Sequence, residues 1–237
     1  MNLEQRVVIV GGGTGGLGRA TSLEFLSAGA QVAVTYRREA EFEVLRGSAG
    51  SSAGRLEGHA LDATDETAVQ HLIETVVAQH GRVDALVNAI GGYAGGHPLW
   101  ETDAKTYEQM LALNLRAAFL LARAVVPQML RQSGGAIVNI ASKAAYGHAA
   151  GAAAYAASKA AALALFDSLA EEVRAHGIRV NSVVPSIIDT EANRRAMPRA
   201  DFSKWPKPEE IARVIVFLCS DDARVIHGAA IPVYGRS

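Results

Sequence analysis

Short runs rich in Val and Ile alternate with longer stretches of helical periodicity along almost the whole chain, and this alternation restricts the fold more than any single motif. Arg6–Val10, Gln31–Tyr36, Val83–Asn88, Gly135–Ile140 and Ile178–Val184 read as buried strands, with Gly54–Ala60 and Ala229–Tyr234 as weaker candidates. Between them, Leu17–Ala28, Glu66–Gln79, Thr106–Gln132, Ala153–His176 and Pro208–Leu218 carry helical spacing, and Glu39–Ala49 does so until glycines crowd its end. Strands that alternate with helices form a parallel sheet covered on both faces, a doubly wound α/β fold. No repeat, low-complexity tract or linker divides the chain, so residues 1–237 are expected to form one domain.

Composition excludes several classes of protein. Apolar residues make up 49% of the 237 and charged residues 20%, enough to build a core and too apolar for a disordered chain. Acidic and basic side chains nearly balance, 24 against 23, without the basic stripe that a nucleic-acid partner requires. The single cysteine, Cys219, cannot close an internal disulfide, which fits a reducing, cytoplasmic compartment. No apolar segment follows a basic start, so no secretory signal is read. The most apolar stretch, Ala144–Phe166, holds His148, Ser158 and Lys159 and is rich in the weakly hydrophobic alanine, so no membrane span is expected. His97, His148 and His176 lack ligand spacing and cysteine partners, and no metal site is expected.

The first strand runs into Gly11-Gly12-Gly13-Thr14-Gly15-Gly16-Leu17-Gly18 and then a helix. Glycines at such a turn let backbone N–H groups approach a diphosphate, whose charge the helix N-terminus favours. Gly11, Gly13 and Gly16 satisfy one dinucleotide spacing, G-x-G-x-x-G; Gly12, Gly16 and Gly18 satisfy G-x-x-x-G-x-G better. At the end of the second strand, Tyr36 stands where an acidic residue would bind the ribose 2′-hydroxyl of NAD. Arg37 and Arg38 follow, and guanidinium groups suit a 2′-phosphate, so NADP(H) is favoured as cofactor with NAD(H) possible.

Farther along, Tyr155 and Lys159 are four residues apart, which on a helix places phenol and ammonium on one face. A free phenol titrates near ~10, and an adjacent cation would bring it towards the working range of an acid–base catalyst. Ser142 ends a strand thirteen residues before Tyr155, at the sheet edge where ligands bind in such folds. Asn114 lies inside a long helical stretch, where asparagine is a poor helix former and therefore needs another reason to be present. Ser142 lacks the G-x-S-x-G elbow of a serine hydrolase.

Together these motifs resemble the short-chain dehydrogenase/reductase family, whose fingerprint is T-G-x-x-x-G-x-G, with Gly11 here in place of the threonine. Asp62 matches the family's adenine-binding aspartate, followed by Ala63. Asn88-Ala89-Ile90-Gly91 is a divergent N-N-A-G, and Val184-Pro185-Ser186-Ile187-Ile188-Asp189-Thr190 resembles V-x-P-G-x-x-x-T with Ser186 replacing glycine. The resemblance implies a Rossmann-type domain and a tetrad of Asn114, Ser142, Tyr155 and Lys159. In it Tyr155 exchanges the substrate proton, Lys159 binds the nicotinamide ribose and lowers the tyrosine pKa, Ser142 holds the reacting oxygen and Asn114 a relay water. It implies cofactor contacts from Gly12, Thr14, Gly15, Gly16, Leu17, Gly18, Tyr36, Arg37, Arg38, Asp62, Ala63, Asn88 and Ala89. Further contacts are implied from Tyr155, Lys159, Pro185, Ile188 (carboxamide) and Thr190.

The substrate would be a small carbonyl compound or alcohol, with loop residues Tyr93, Tyr146, His148 and the lid Ile187–Trp205 around it. A homo-oligomer, tetramer or dimer, is expected from the alanine-rich helix Ala153–His176. The C-terminal Val233-Tyr234-Gly235-Arg236-Ser237 departs from the family's V-D-G-G-like turn, which bears on tetramer geometry. Two other readings stay open. The Gly-Gly-Tyr-Ala-Gly-Gly loop resembles dihydropteridine reductases, a branch that generally lacks the serine. The altered Asn88–Gly91, Ser186 and C-terminal turn also fit a dinucleotide sensor without chemistry.

Overall fold

The computed structural model describes residues 2–237. Seven strands, β1 (Val7–Gly11), β2 (Gln31–Tyr36), β3 (Leu56–Ala60), β4 (Ala85–Asn88), β5 (Gly135–Ile140), β6 (Ile178–Pro185) and β7 (Ala230–Val233), form one sheet in the order β3-β2-β1-β4-β5-β6-β7. Every pairing is parallel. The helices are α1 (Gly16–Ser27), α2 (Glu39–Ala49), α3 (Glu66–His80), α4 (Ala104–Leu111), α5 (Ala117–Arg131), α6 (Ala153–Val173), α7 (Glu191–Ala196) and α8 (Pro208–Cys219).

Alternate residues of each central strand feed two cores, because successive side chains point to opposite faces. Val8, Val10, Val32, Val34 and Val87 pack with Phe25, Leu26, Ile211 and Ile215 of α1 and α8. Val7, Ile9, Leu86, Ile137 and Val180 pack with Leu72, Ile73, Leu121, Val125 and Phe166 of α3, α5 and α6. Chain order runs outward in both directions from the β1–β4 pair. The crevice beyond their carboxyl ends is where doubly wound sheets bind ligands.

Several sequence expectations need adjustment. The weak strand Gly54–Ala60 begins only at Leu56, because Gly50–Arg55 winds into a 3₁₀ turn; the fourth strand begins at Ala85 rather than Val83. The helix expected over Thr106–Gln132 is two α-helices joined by a π-helical segment, Ala112–Arg116. This same continuous run, Ala104–Arg131, is the one helix among the described residues with the length and apolarity of a membrane span, whereas Ala144–Phe166 is expected from the sequence to be the most apolar stretch. Its apolar side is spent inside the protein, where Met110, Ala117, Ala118, Leu121, Val125 and Met129 are buried.

Candidate active site

The glycine turn between β1 and α1 is held by β2: Thr35 Oγ1 accepts from Gly12 N at 2.8 Å, and its carbonyl from Gly13 N at 3.2 Å. Gly12 has φ +73°, a left-handed conformation that favours glycine. A Cβ on Gly18 would lie 2.0 Å from the Gly12 carbonyl oxygen, so only glycine lets α1 approach the turn this closely. A Cβ on Gly16 would meet Thr190 Cγ2 at 2.8 Å, which brings the loop after β6 against the turn. The α1 N-terminus has no side-chain cap and no acidic residue in its first turn. Its free N–H groups and positive pole suit an anion. Leu17 can contribute there only by its backbone, since its side chain belongs to the core.

From this turn a cleft of about 580 Å³ extends along the sheet edge, lined by Gly12, Thr14, Gly15, Tyr36, Arg37, Arg38, Glu41, Asp62, Ala63, Ala89, Ile90 and Gly91, among others. Its glycine cradle and uncapped helix fit a dinucleotide, whose diphosphate the turn would hold. Asp62 accepts hydrogen bonds from Thr64 N and Oγ1, which hold its carboxyl below the usual range with help from nearby Arg37. Tyr36 is not free at the β2 end. Its ring stacks on Phe42 at 4.9 Å, and its hydroxyl is donated to Glu39. Asn88 does not face the cleft as expected. Its amide is buried in the sheet and donates to Asn139 Oδ1 at 3.0 Å, and neighbouring Ala89 and Ile90 line the cleft instead.

At the inner end of the cleft Gly91 lies against two of the four expected catalytic residues, and Ser142 bonds the third, Tyr155. A Cβ on Gly91 would lie 2.9 Å from Asn114 Oδ1 and 3.0 Å from Lys159 Nζ. The π segment explains Asn114, for an extra residue in the helical turn leaves backbone and side chain free for other partners. Buried Asn114 clamps the loop after β4, accepting from Gly92 N at 2.9 Å and donating to Gly92 O at 3.0 Å. It also donates to Ser158 Oγ at 3.0 Å, and that hydroxyl donates to the Tyr155 carbonyl at 2.7 Å. Ser158 thus links the π segment to the catalytic helix. Nothing in its sequence setting marks it beyond its place beside Lys159.

Lys159 is buried and donates to Ile140 O at 2.8 Å; desolvation lowers its pKa to about 8. Tyr155 differs from the expectation. Burial pushes the phenol above its ordinary pKa, the Ser142 hydroxyl works against that rise, and Tyr93 adds to it. Tyr93 stands edge-on to the Tyr155 ring at 5.0 Å and 73° while remaining 64% exposed, so it borders the site from the solvent side. Tyr146 is also exposed, and His148 contacts the Ala144 carbonyl at 3.1 Å.

Pro185, Ile188 and Thr190 lie beyond the end of β6. Ile188 O already accepts from Asn193 Nδ2 at 2.8 Å, and Thr190 Oγ1 caps α7. The lid from Ile187 to Trp205 is internally tied. Asp189 pairs with Arg194, whose guanidinium covers the Phe202 ring, and Phe202 packs on buried Trp205. Two of the sequence departures meet: Ser186 donates to Tyr234 O at 2.8 Å, fastening the unusual C-terminal turn to the loop after β6.

The short chain dehydrogenase family model matches residues 6–201. The chain belongs to the short-chain dehydrogenase/reductase family. The protein named 3-oxoacyl-[acyl-carrier-protein] reductase FabG of Thermotoga maritima is 33% identical, the match covering 99% of this chain and 98% of the relative. Among solved structures, ElxO with NADP bound superposes with a TM-score of 0.91 at 28% identity, covering 97% of each chain. NAD⁺-bound xylitol dehydrogenase superposes with a TM-score of 0.92 at 26% identity, covering 99% of this chain and 100% of the other. As a family member the chain is an NAD(P)-dependent oxidoreductase with a Rossmann-type fold.

Proposed function

We propose that this short-chain dehydrogenase/reductase interconverts a ketone and a secondary alcohol, acting as a carbonyl reductase that favours NADPH. The observation that carries the reading is that Asn114 and Lys159 lie against Gly91 at the inner end of the cleft, with Ser142 bonded to Tyr155 on the same helix as Lys159. Bound nicotinamide would supply or accept the hydride. The protein's own part is proton transfer and placement. Tyr155 would donate its phenolic proton to the substrate oxygen, Ser142 would hydrogen-bond the same oxygen, and Lys159 would help hold the cofactor ribose. Asn114 and Ser158 keep the Gly92 loop and the catalytic helix in register. A pure sensor would have no need of this polar assembly, and Ser142 speaks against the pteridine branch.

Tyr36 in place of a carboxylate, with Arg37 on the cleft wall, supports NADPH over NADH. The raised Tyr155 pKa supports the reductive direction, for a protonated phenol is the reactant when a carbonyl is reduced. We expect purified protein to oxidise NADPH faster than NADH with at least one member of a panel of ketones, aldehydes, β-keto thioesters, ketosugars, quinones and a dihydropterin. Because the phenol lies above its ordinary value near ~10, carbonyl reduction should hold level from about pH 6 to about pH 9 and fall only as the pH passes ~10, where alcohol oxidation should rise. Silence across the panel, or the opposite pH trends, would refute the assignment.

We also propose that residues 1–237 act as one domain in the cytoplasm, supported by the single sheet and lone cysteine, and that the chain assembles with itself. Self-assembly is supported by exposed apolar side chains, Leu99 and Trp100 at 69% and 84%, with Tyr107 and Phe119 exposed as well. Sedimentation equilibrium at micromolar concentration should return a dimer or tetramer mass; a monomer mass would refute this.

A further inference from the structure

The far end of the cleft carries a carboxylate that the sequence pattern hides. Glu41, in the first turn of α2, lines the cleft with Arg37, Arg38 and Asp62. Arg38 donates to one Glu41 oxygen, and Thr14 of the glycine turn donates its hydroxyl to the other at 3.4 Å. Glu39, two residues earlier, is turned to the Tyr36 hydroxyl and does not line the cleft. Of the two arginines expected to meet a 2′-phosphate, Arg38 is therefore already paired, and Arg37 alone has no ion-pair partner among the described residues.

We infer that Glu41 is a specificity-determining residue for the dinucleotide, limiting the preference for NADP(H) by engaging Arg38 and holding negative charge beside the arginines. A ribose 2′-hydroxyl is a donor that a carboxylate can accept. A 2′-phosphate carries up to two negative charges that the same carboxylate repels. Glu41 thus supplies from the helix the acidic function that β2 lacks at Tyr36. The inference rests on the cleft being the dinucleotide site proposed above.

The test is calorimetric binding of NADP⁺ and NAD⁺ to the wild type, E41Q and E41D, alongside adenosine 2′,5′-bisphosphate and AMP as fragments. Glutamine keeps the size of the side chain while deleting its charge and releasing Arg38. E41Q is expected to bind NADP⁺ and the bisphosphate about tenfold more tightly, a change typical of removing one like charge at a partly exposed site. NAD⁺ and AMP should bind unchanged or slightly more weakly, and E41D should retain the wild-type ratio. Weaker NADP⁺ binding by E41Q would show that Glu41 positions Arg38 for the phosphate, and equal shifts for both cofactors would show no role in selection. Either result overturns the inference, as does no shift in a variant whose thermal unfolding matches wild type. A wild type that prefers NAD⁺ would refute the NADPH reading, while the direction of the E41Q shift would still decide the role of Glu41.

Discussion

Replacing Tyr155 by Phe is expected to lower kcat by about 10³-fold, in the middle of the range for loss of a positioned general acid. The substitution deletes one hydroxyl and leaves the ring, so the edge-on contact with Tyr93 and the burial of the helix face persist. Lys159 keeps its bond to Ile140 O, and the Asn114–Ser158 link touches only the backbone of residue 155. Cofactor affinity should therefore stay within a few-fold of wild type. Steady-state kinetics with the best carbonyl from the panel, paired with calorimetric NADPH binding, separates the two quantities. A kcat within about fivefold of wild type would remove Tyr155 from the acid–base role, because a lost proton donor costs at least ~10².

The second large effect is expected at Gly18. An alanine methyl there would stand 2.0 Å from Gly12 O, 2.9 Å from Gly12 C and 3.0 Å from Gly13 Cα, all backbone atoms. The turn or α1 must move, at a cost of about 1–3 kcal/mol in stability, as for other overpacked sites. Movement misaligns the N–H groups that would meet the diphosphate. We expect cofactor affinity to fall about 100-fold, equivalent to losing one or two charge-assisted hydrogen bonds. Gly15→Ala is the matched control. Its Cβ would find only Gly12 O, at an ordinary 3.5 Å, and its φ of −68° suits any residue. Thermal unfolding and NADP⁺ titration of both variants check this, and equal losses in the two would refute the close-approach explanation.

This contrast shows where sequence reading stops. Gly15 and Gly18 are the same letter in the same run, and motif spacing marks Gly18 without saying what it touches. The reason is an approach of helix to turn, set by how α1 packs on β1 and β2. Asn88 gives the converse case: its motif suggested a cofactor contact, yet the strand's alternation turns its amide into the sheet towards Asn139. Asn114 was recognisable as an anomaly in a helix, but its cause, the π segment and the clamp on Gly92, depends on a loop 22 residues away.

The electrostatics were the least legible part. Four-residue spacing puts Lys159 and Tyr155 on one helix, whereas the direction of the phenol's shift follows from burial, a tertiary property. Arg38 reads as a free phosphate ligand, yet its partner Glu41 is only three residues away, and the pair forms locally where α2 begins. Ser186 and Tyr234, 48 residues apart, read as unrelated departures until one hydrogen bond joins them.

Legible in the order of residues were the alternation of strands and helices, the parallel sheet, the glycine turn at its switch point and the identities of four catalytic candidates. These are local signals, carried by periodicity and short spacing, and they survive without knowledge of distant neighbours. Which glycines are sterically required and which polar groups face the cleft emerged only from the folded chain. Each of those depends on contacts between segments far apart in the chain, and burial sets their energies.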